Sequence, residues 1–414
     1  SRGLGDVYKR QINSAGQRDI RIDWNNSGTV DWSSGDISVV NAGILFTNTA
    51  SGVFNANSTG LMSINSGGFT IAGTYNANSP HTIQDISAAV SIFNKTGTVN
   101  IASGQLLTMI APGTDNGLWT GAGSLTFNLG SYVRDLNSTN ININGTLSID
   151  SGTLNLNAGS NLNLASAILL NGGILDLSTG SAVSIPGLTQ SGGILTGSDN
   201  VTISGNYDWS GGNLSGSGVL NTNGTTTVTG LVSHQMGRDW NNNGVLNWQQ
   251  GSFDITGVGV LFTNTATGTF NANTADSLGL NSGNFNNLGI FNANIDLTIQ
   301  EVSLADVSFT NGVGGTFFVN ADTTVIDAEF IQLGTLALQG FDFSYSGVGI
   351  ASLVNAGTLS GTGSIISDVT NNSIVAPGGN NATGILTVAG DYQQAVSGNL
   401  LIELEGTTVG TGYD

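Results

Sequence analysis

Few side chains in this sequence could do acid–base, nucleophilic or ligand chemistry. The 414 residues include two histidines, His81 and His234, no cysteine, 8 lysines and arginines, and 27 aspartates and glutamates. Without cysteine there is no thiolate nucleophile, disulfide or thiolate zinc site. A Ser–His–acid triad needs an activated serine, and neither G-D-S-G nor G-x-S-x-G occurs. His81 follows Pro80 in a Ser-Pro-His phrase and reads as a solvated turn residue. A lyase would need a base beside clustered carboxylates. Beyond the first eleven residues the cations are Arg18, Arg21, Lys95, Arg134 and Arg238, and none is expected within a carboxylate cluster at repeat spacing. Arg21 with Asp23, and Arg238 with Asp239, read as local ion pairs or turn contacts. Glycoside hydrolysis needs two carboxylates across a cleft. Asp327/Glu329 and Glu403/Glu405 stand at i, i+2, one face of a strand, and read as solvated outer surface. The G-G-x-G-x-D calcium repeat, zinc spacings and dinucleotide glycines do not occur; Gly361-Thr362-Gly363 is a lone turn phrase. The sequence thus nominates no catalytic, cofactor-binding or metal residue, and a non-enzymatic chain is expected.

The elements that carry these residues are β-strands. Charged residues are 8% of the chain and glycine is 62 of 414, with 4 prolines. That is about a third of the usual charge and double the usual glycine. Collagen would need a Gly-X-Y period with proline. Hydrophobic residues at 39% argue against disorder. No apolar run reaches the ~18 residues of a membrane-spanning helix. A net charge of −19 with so few cations leaves no footprint for nucleic acid.

Repeats organise the chain. D-W-N-N-S-G at 23–28 returns as D-W-N-N-N-G at 239–244, and L-F-T-N-T-A-S-G-V-F-N-A-N at 45–57 returns with two changes at 261–273, at the same offset. The match runs to Phe93 and Phe309 without insertion. Between the copies, Gly-x-Leu recurs at Gly152, Gly173, Gly193 and Gly212. Short alternating stretches such as Leu154-Asn155-Leu156 lie between Asn-Gly, Ser-Gly and Gly-Gly turns, the pattern of half-buried strands. Strands this short cannot form an independent sheet. Coils of ~20 residues that stack in parallel can bury one continuous column. The expected fold is all-β, a right-handed parallel β-helix, with Asn, Ser and Thr outside forming stacked ladders. At this coil length the offset from Asp23 to Asp239 predicts about eleven coils. The tryptophans, as in Asp31-Trp32 and Asp208-Trp209, could be sugar-stacking platforms; packing at coil corners, with the adjacent Asp accepting turn amides, is the expected role.

Three segments are expected. Residues 1–11, Ser-Arg-Gly-Leu-Gly-Asp-Val-Tyr-Lys-Arg-Gln, match nothing downstream and resemble the translation of a sequencing-library adapter rather than native protein. Residues 12–345 form the β-helix with its duplicated block, about 19–105 and 235–325. Residues 346–414 carry Gly361-Thr362-Gly363, Ala376-Pro377-Gly378, Gly384-Ile385-Leu386-Thr387-Val388, Gly390-Asp391-Tyr392, Leu400 to Leu404 and Gly412-Tyr413-Asp414. This segment resembles the strand repeat near the end of bacterial autotransporter passengers and related adhesin-like surface proteins. The resemblance runs from Asn355 to Asp414. It implies a passenger or stalk at the surface of a Gram-negative-type cell or outside it, cut from a longer chain. It further implies an outer-membrane β-barrel translocator beyond the segment and attachment to host or matrix glycans, proteins or neighbouring cells. The absence of cysteine fits passage through an oxidising periplasm. The alternatives are a carbohydrate-active β-helix enzyme, either lyase or glycosidase, and a non-catalytic carbohydrate-binding rod.

Overall fold

The structure is a computed structural model and describes residues 10–87, 92–303, 306–347, 352–379 and 381–409. The described residues form strands and turns without a helix. The chain divides into two compact units, 1–201 and 202–414. Each is a parallel β-solenoid, and the chain makes about 18 turns in all.

A typical coil has three sides. In the first unit Val53–Ala56, Leu61–Asn65 and Gly68–Ile71 form one coil, followed by Thr74–Ala77, His81–Asp85 and Ile92–Lys95. Pairing is parallel and in register: Thr74 stands opposite both Val53 and Thr98, and Thr82 opposite Leu61 and Thr108. Alternation then sets the core. In Val-Phe-Asn-Ala, Phe54 and Ala56 point inward and are fully buried. Stacking aligns aromatic side chains on successive coils. Phe54 lies over Tyr75 with ring centroids 5.1 Å apart, and Phe46 over Phe69 at 4.9 Å. In the second unit Phe270, Phe291 and Phe317 continue at 4.9 and 4.5 Å. Such offset stacks add to the burial energy of each ring.

A tryptophan on one coil is followed by alanines on the next two. Trp32 faces Ala56, and Ala56 faces Ala77; Trp248 faces Ala272, and Ala272 faces Ala293. Trp32 Nε1 donates to the Gly35 carbonyl at 2.8 Å, Trp209 to Gly212 at 3.2 Å and Trp248 to Gly251 at 2.6 Å. The W-x-x-G phrase is therefore a corner closed by the indole N–H. Gly35 and Gly251 take φ of +73° and +75°, and an added Cβ would lie 2.1 and 2.2 Å from a carbonyl oxygen of the preceding coil, so only glycine fits.

Coil length varies more than the Gly-x-Leu spacing suggests. The coil between the register partners Ile290 and Thr316 is long, and the one between Asn355 and Asn371 is short. Seven register steps of 20 to 24 residues carry Asn26 to Leu177 in the first unit, so at that coil length the offset between the two copies corresponds to about ten coils, against the eleven expected. Residues 352–409 continue the coil, pairing Leu359 with Val375 and Val369 with Tyr392. Ser1–Lys9 and Gly412–Asp414 lie outside the described residues. Arg10 and Gln11 begin the first strand, Arg10–Asn13, which pairs with Val30–Ser34.

Candidate functional site

The carboxylate pairs do not converge. Asp327 is exposed at a left-handed φ of 58°, before the strand Glu329–Gln332 begins. It therefore does not share a strand face with Glu329, as i, i+2 spacing suggested. Glu403 and Glu405 lie outside the regular strands. A hollow of about 1010 Å³ lies against the first described coil, lined by Arg10, Arg18, Arg21 and Trp24 among others. Arg21 there is exposed and paired to Asp19 at 2.6 Å.

Both histidines are structural. His81 is buried, not solvated. Its Nδ1 lies 2.8 Å from the Ser79 carbonyl, which can only accept, so Nε2 accepts from the Tyr75 hydroxyl at 2.6 Å. Its ring meets the edge of Trp32 at 5.5 Å. Burial pushes its pKa down to about 4, against a weaker opposing pull from the Ser79 carbonyl. The Ser-Pro-His phrase does turn, but the turn delivers the imidazole inward. His234 is likewise buried, with Nε2 2.8 Å from the Thr229 carbonyl and the ring edge-on to Trp209. Burial lowers its pKa as well.

Tryptophan platforms are also excluded at five positions: Trp32, Trp119, Trp209, Trp240 and Trp248 are fully buried. Among the carboxylates next to tryptophans, Asp31 accepts the Asn55 side-chain amide at 2.7 Å, whereas Asp23 and Asp239 accept backbone amides. Asp23 Oδ1 accepts from Leu45 N at 3.0 Å and Asp239 Oδ1 from Leu261 N at 2.9 Å. The two arginines beside them differ. Arg21 is the exposed partner of Asp19, whereas Arg238 is buried and its Nε donates to the Gly218 carbonyl at 2.8 Å.

One cation does meet a carboxylate at one-coil spacing, contrary to expectation. Lys95 is the register partner of Asp115, and Arg134 is one coil further on. All three are fully buried. Arg134 grips Asp115 with two bonds, Nη2 to Oδ1 at 2.5 Å and Nε to Oδ2 at 3.0 Å. It also donates to the carbonyls of Ala111 and Phe93 at 3.1 and 3.2 Å. Trp119 Nε1 donates to Asp115 Oδ2 at 3.1 Å. Lys95 Nζ sits 4.9 Å from the Trp119 ring centre and has no hydrogen-bond partner among the described residues. Burial lowers its pKa to about 8; Asp115 opposes that shift and Arg134 adds to it. Lys95, Asp115 and Arg134 are spaced along the chain as Gly173, Gly193 and Gly212 are, and that match was the available signal.

Two kinds of amide ladder line the coils. The outer kind was expected. Asn55 Nδ2 donates to Asp31 at 2.7 Å and Asn76 to Asn55 at 2.8 Å; in the second unit Asn271 donates to Asn247 and Asn292 to Asn271 at 2.9 and 2.8 Å. The second kind is internal. Asn242, Asn264, Asn287, Asn311 and Gln332 are buried on five successive coils. Each amide N–H donates to the next side-chain oxygen, at 2.8 to 2.9 Å. Asn264, Asn287 and Asn311 also donate to the carbonyl that opens the strand after the partner rung, at Ile290, Thr316 and Thr335. The recurrent strand-final amide in Leu-Phe-Thr-Asn, Ser-Phe-Thr-Asn and Asp-Val-Thr-Asn marks these positions.

What the described residues assemble is thus an ordered surface of stacked polar side chains over a core most of whose polar groups are hydrogen-bonded, with Lys95 Nζ and His234 Nδ1 among the buried atoms that are not. No protein-family model, curated protein or solved structure matches the chain.

Proposed function

We propose that the chain belongs to the stalk or passenger of an exported, adhesin-like bacterial surface protein of the autotransporter type, and that it works by attachment rather than catalysis. The observation that carries this reading is the outer amide ladder: the same polar group recurs on coil after coil, at ~4.8 Å intervals. A surface of that kind offers many equivalent weak contacts, and their summed avidity replaces a single tight pocket. The resemblance of residues 355–414 to passenger repeats supports the export route, through an outer-membrane β-barrel translocator. The partners would be glycans or proteins of a host, a matrix or a neighbouring cell.

The purified chain, immobilised at graded density, tests this reading. Retention of cells or matrix material that climbs steeply with density, with no release of reducing ends from a polysaccharide panel, is the expected result. Cleavage of any polysaccharide at an enzymatic rate would overturn it in favour of a carbohydrate-active β-helix. Protease shaving of cells producing the full-length protein tests surface display: a chain cleaved only after lysis would sink the location.

A further inference from the structure

The first unit carries a groove of about 400 Å³ on its outer side, crossing four successive coils. The size lies within the range of small-ligand sites. Its walls include Leu106, Thr126, Ser148, Asp150, Leu169 and Asn171. Thr126 stands opposite Ser148, and Ser148 opposite Leu169, so these three form one row along the stacking direction. Leu106 is 41% exposed. Asp150 Oδ1 accepts from the Ser148 hydroxyl at 2.5 Å and from Asn171 Nδ2 at 2.7 Å. Those bonds fix the carboxylate and leave Oδ2 without a partner among the described residues.

We propose that this groove binds a neutral, extended oligosaccharide lying along the stacking direction. The inference rests on the attachment reading and names a ligand class for it. Three observations select the class. A fixed carboxylate oxygen with hydroxyls and an amide beside it matches the donors and acceptors of sugar hydroxyls. Leu106 and Leu169 supply apolar area for the C–H face of a pyranose ring. No lysine or arginine lines the groove, so a uronate or sulfated chain would meet Asp150 with no counter-charge. An added peptide strand is excluded by the backbone, because the strands here already pair on both edges. The coil rise of ~4.8 Å is close to the length of one pyranose unit, so successive sugar units can face successive coils. No aromatic side chain lines the groove among the described residues, and weak binding follows.

Saturation-transfer NMR on the full chain tests this, with linear neutral tetrasaccharides of β-1,4-glucose and β-1,4-N-acetylglucosamine and with tetragalacturonate as the charged control. Transfer to at least one neutral sugar and none to the galacturonate is expected. Asp150→Ala should weaken binding about tenfold. Leu106→Glu, at a solvent-facing position, should do the same without touching the core. Absence of transfer from both neutral sugars, equal transfer from the galacturonate, or unchanged binding in both variants would each overturn the proposal. Cell or matrix retention that survives in both variants would overturn the groove and leave the attachment reading standing.

Discussion

The two copies of the duplicated block solve the same packing problem with different chemistry. In the second copy one inward column is neutral throughout, Asn242–Asn264–Asn287–Asn311–Gln332. In the first the column equivalent to it in sequence starts as Asn26–Asn48, then reads Ile71, Lys95, Asp115 and Leu136. Lys95 stands where the second copy has Asn311, and His81 and Tyr75 stand where it has Leu297 and Phe291. An amide both donates and accepts, so each rung satisfies the next without charge. A cation cannot repeat that way. It needs an anion, the anion needs the guanidinium of Arg134, and the cluster closes on itself between apolar residues. Along this column, the first copy is therefore the one whose stability depends on charge and pH.

The largest effect expected from breaking this contrast is at Arg134. Arg134→Met leaves the Asp115 carboxylate buried without its bidentate guanidinium partner, at a cost of about 3–5 kcal/mol. Coils contact chiefly their neighbours, so hydrogen exchange should accelerate across residues 93–136 and not across 264–311. Uniform acceleration in both regions would contradict the local account.

Acid should separate the copies next. The folded pKa of His81 lies at about 4, below its ordinary 6.5. The unfolded chain therefore takes up the proton first. Stability from the neutral ring is complete above about 6.5 and is lost as pH falls towards 4, by about 3 kcal/mol. His81→Leu, the second copy's residue, should flatten that pH dependence in exchange measurements on residues 75–85.

Lys95 gives an effect of opposite sign. Its folded pKa of about 8 is below the ordinary 10.5, so the cost of burying the ammonium is full below pH 8 and fades as pH rises towards 10.5. Lys95→Met should stabilise the surrounding coils by about 2 kcal/mol at pH 7, less than the shift alone implies because the attraction to Asp115 is lost too. The gain should vanish above pH 10.

The smallest effects compare the two ladders. Asn287→Leu removes the acceptor of Asn264 and the donor to Asn311 and should cost about 1–3 kcal/mol. Asn76→Ala, in the outer ladder, should stay within about 0.5 kcal/mol. Thermal unfolding of the two variants measures the difference, and equal costs would dissolve the distinction between inner and outer amides.

The solenoid was legible because its signals are periodic. Glycine spacing gave the coil, and alternation gave the inward residues. Phe54, Phe69 and Phe93 and their copies all fall inside as that alternation predicts. What escaped was polar and inward. Asn reads as surface by composition, yet Asn264 and Asn287 are fully buried, because a parallel stack supplies each amide with an identical partner one coil away. His81 escaped because a turn sequence specifies a change of direction and not which way the next side chain points. The Lys95–Asp115–Arg134 cluster escaped because its members stand a whole coil apart in the sequence, a separation that means contact only once the coil is known.

The internal amide ladder also bears on how such a chain could change in evolution. Every rung ends as it began, with one free acceptor behind and one free donor ahead. A whole coil could therefore be gained or lost within 242–332 without leaving a mismatch, and a block beginning at Asn26 could be copied to begin again at Asn242. Length becomes a heritable variable, adjustable by unequal recombination in steps of one coil. The charged cluster forbids the same operation between 93 and 136, where a lost coil would remove one ion and strand another. Relatives of this chain should differ in length on the amide side of that boundary and hold it constant on the other.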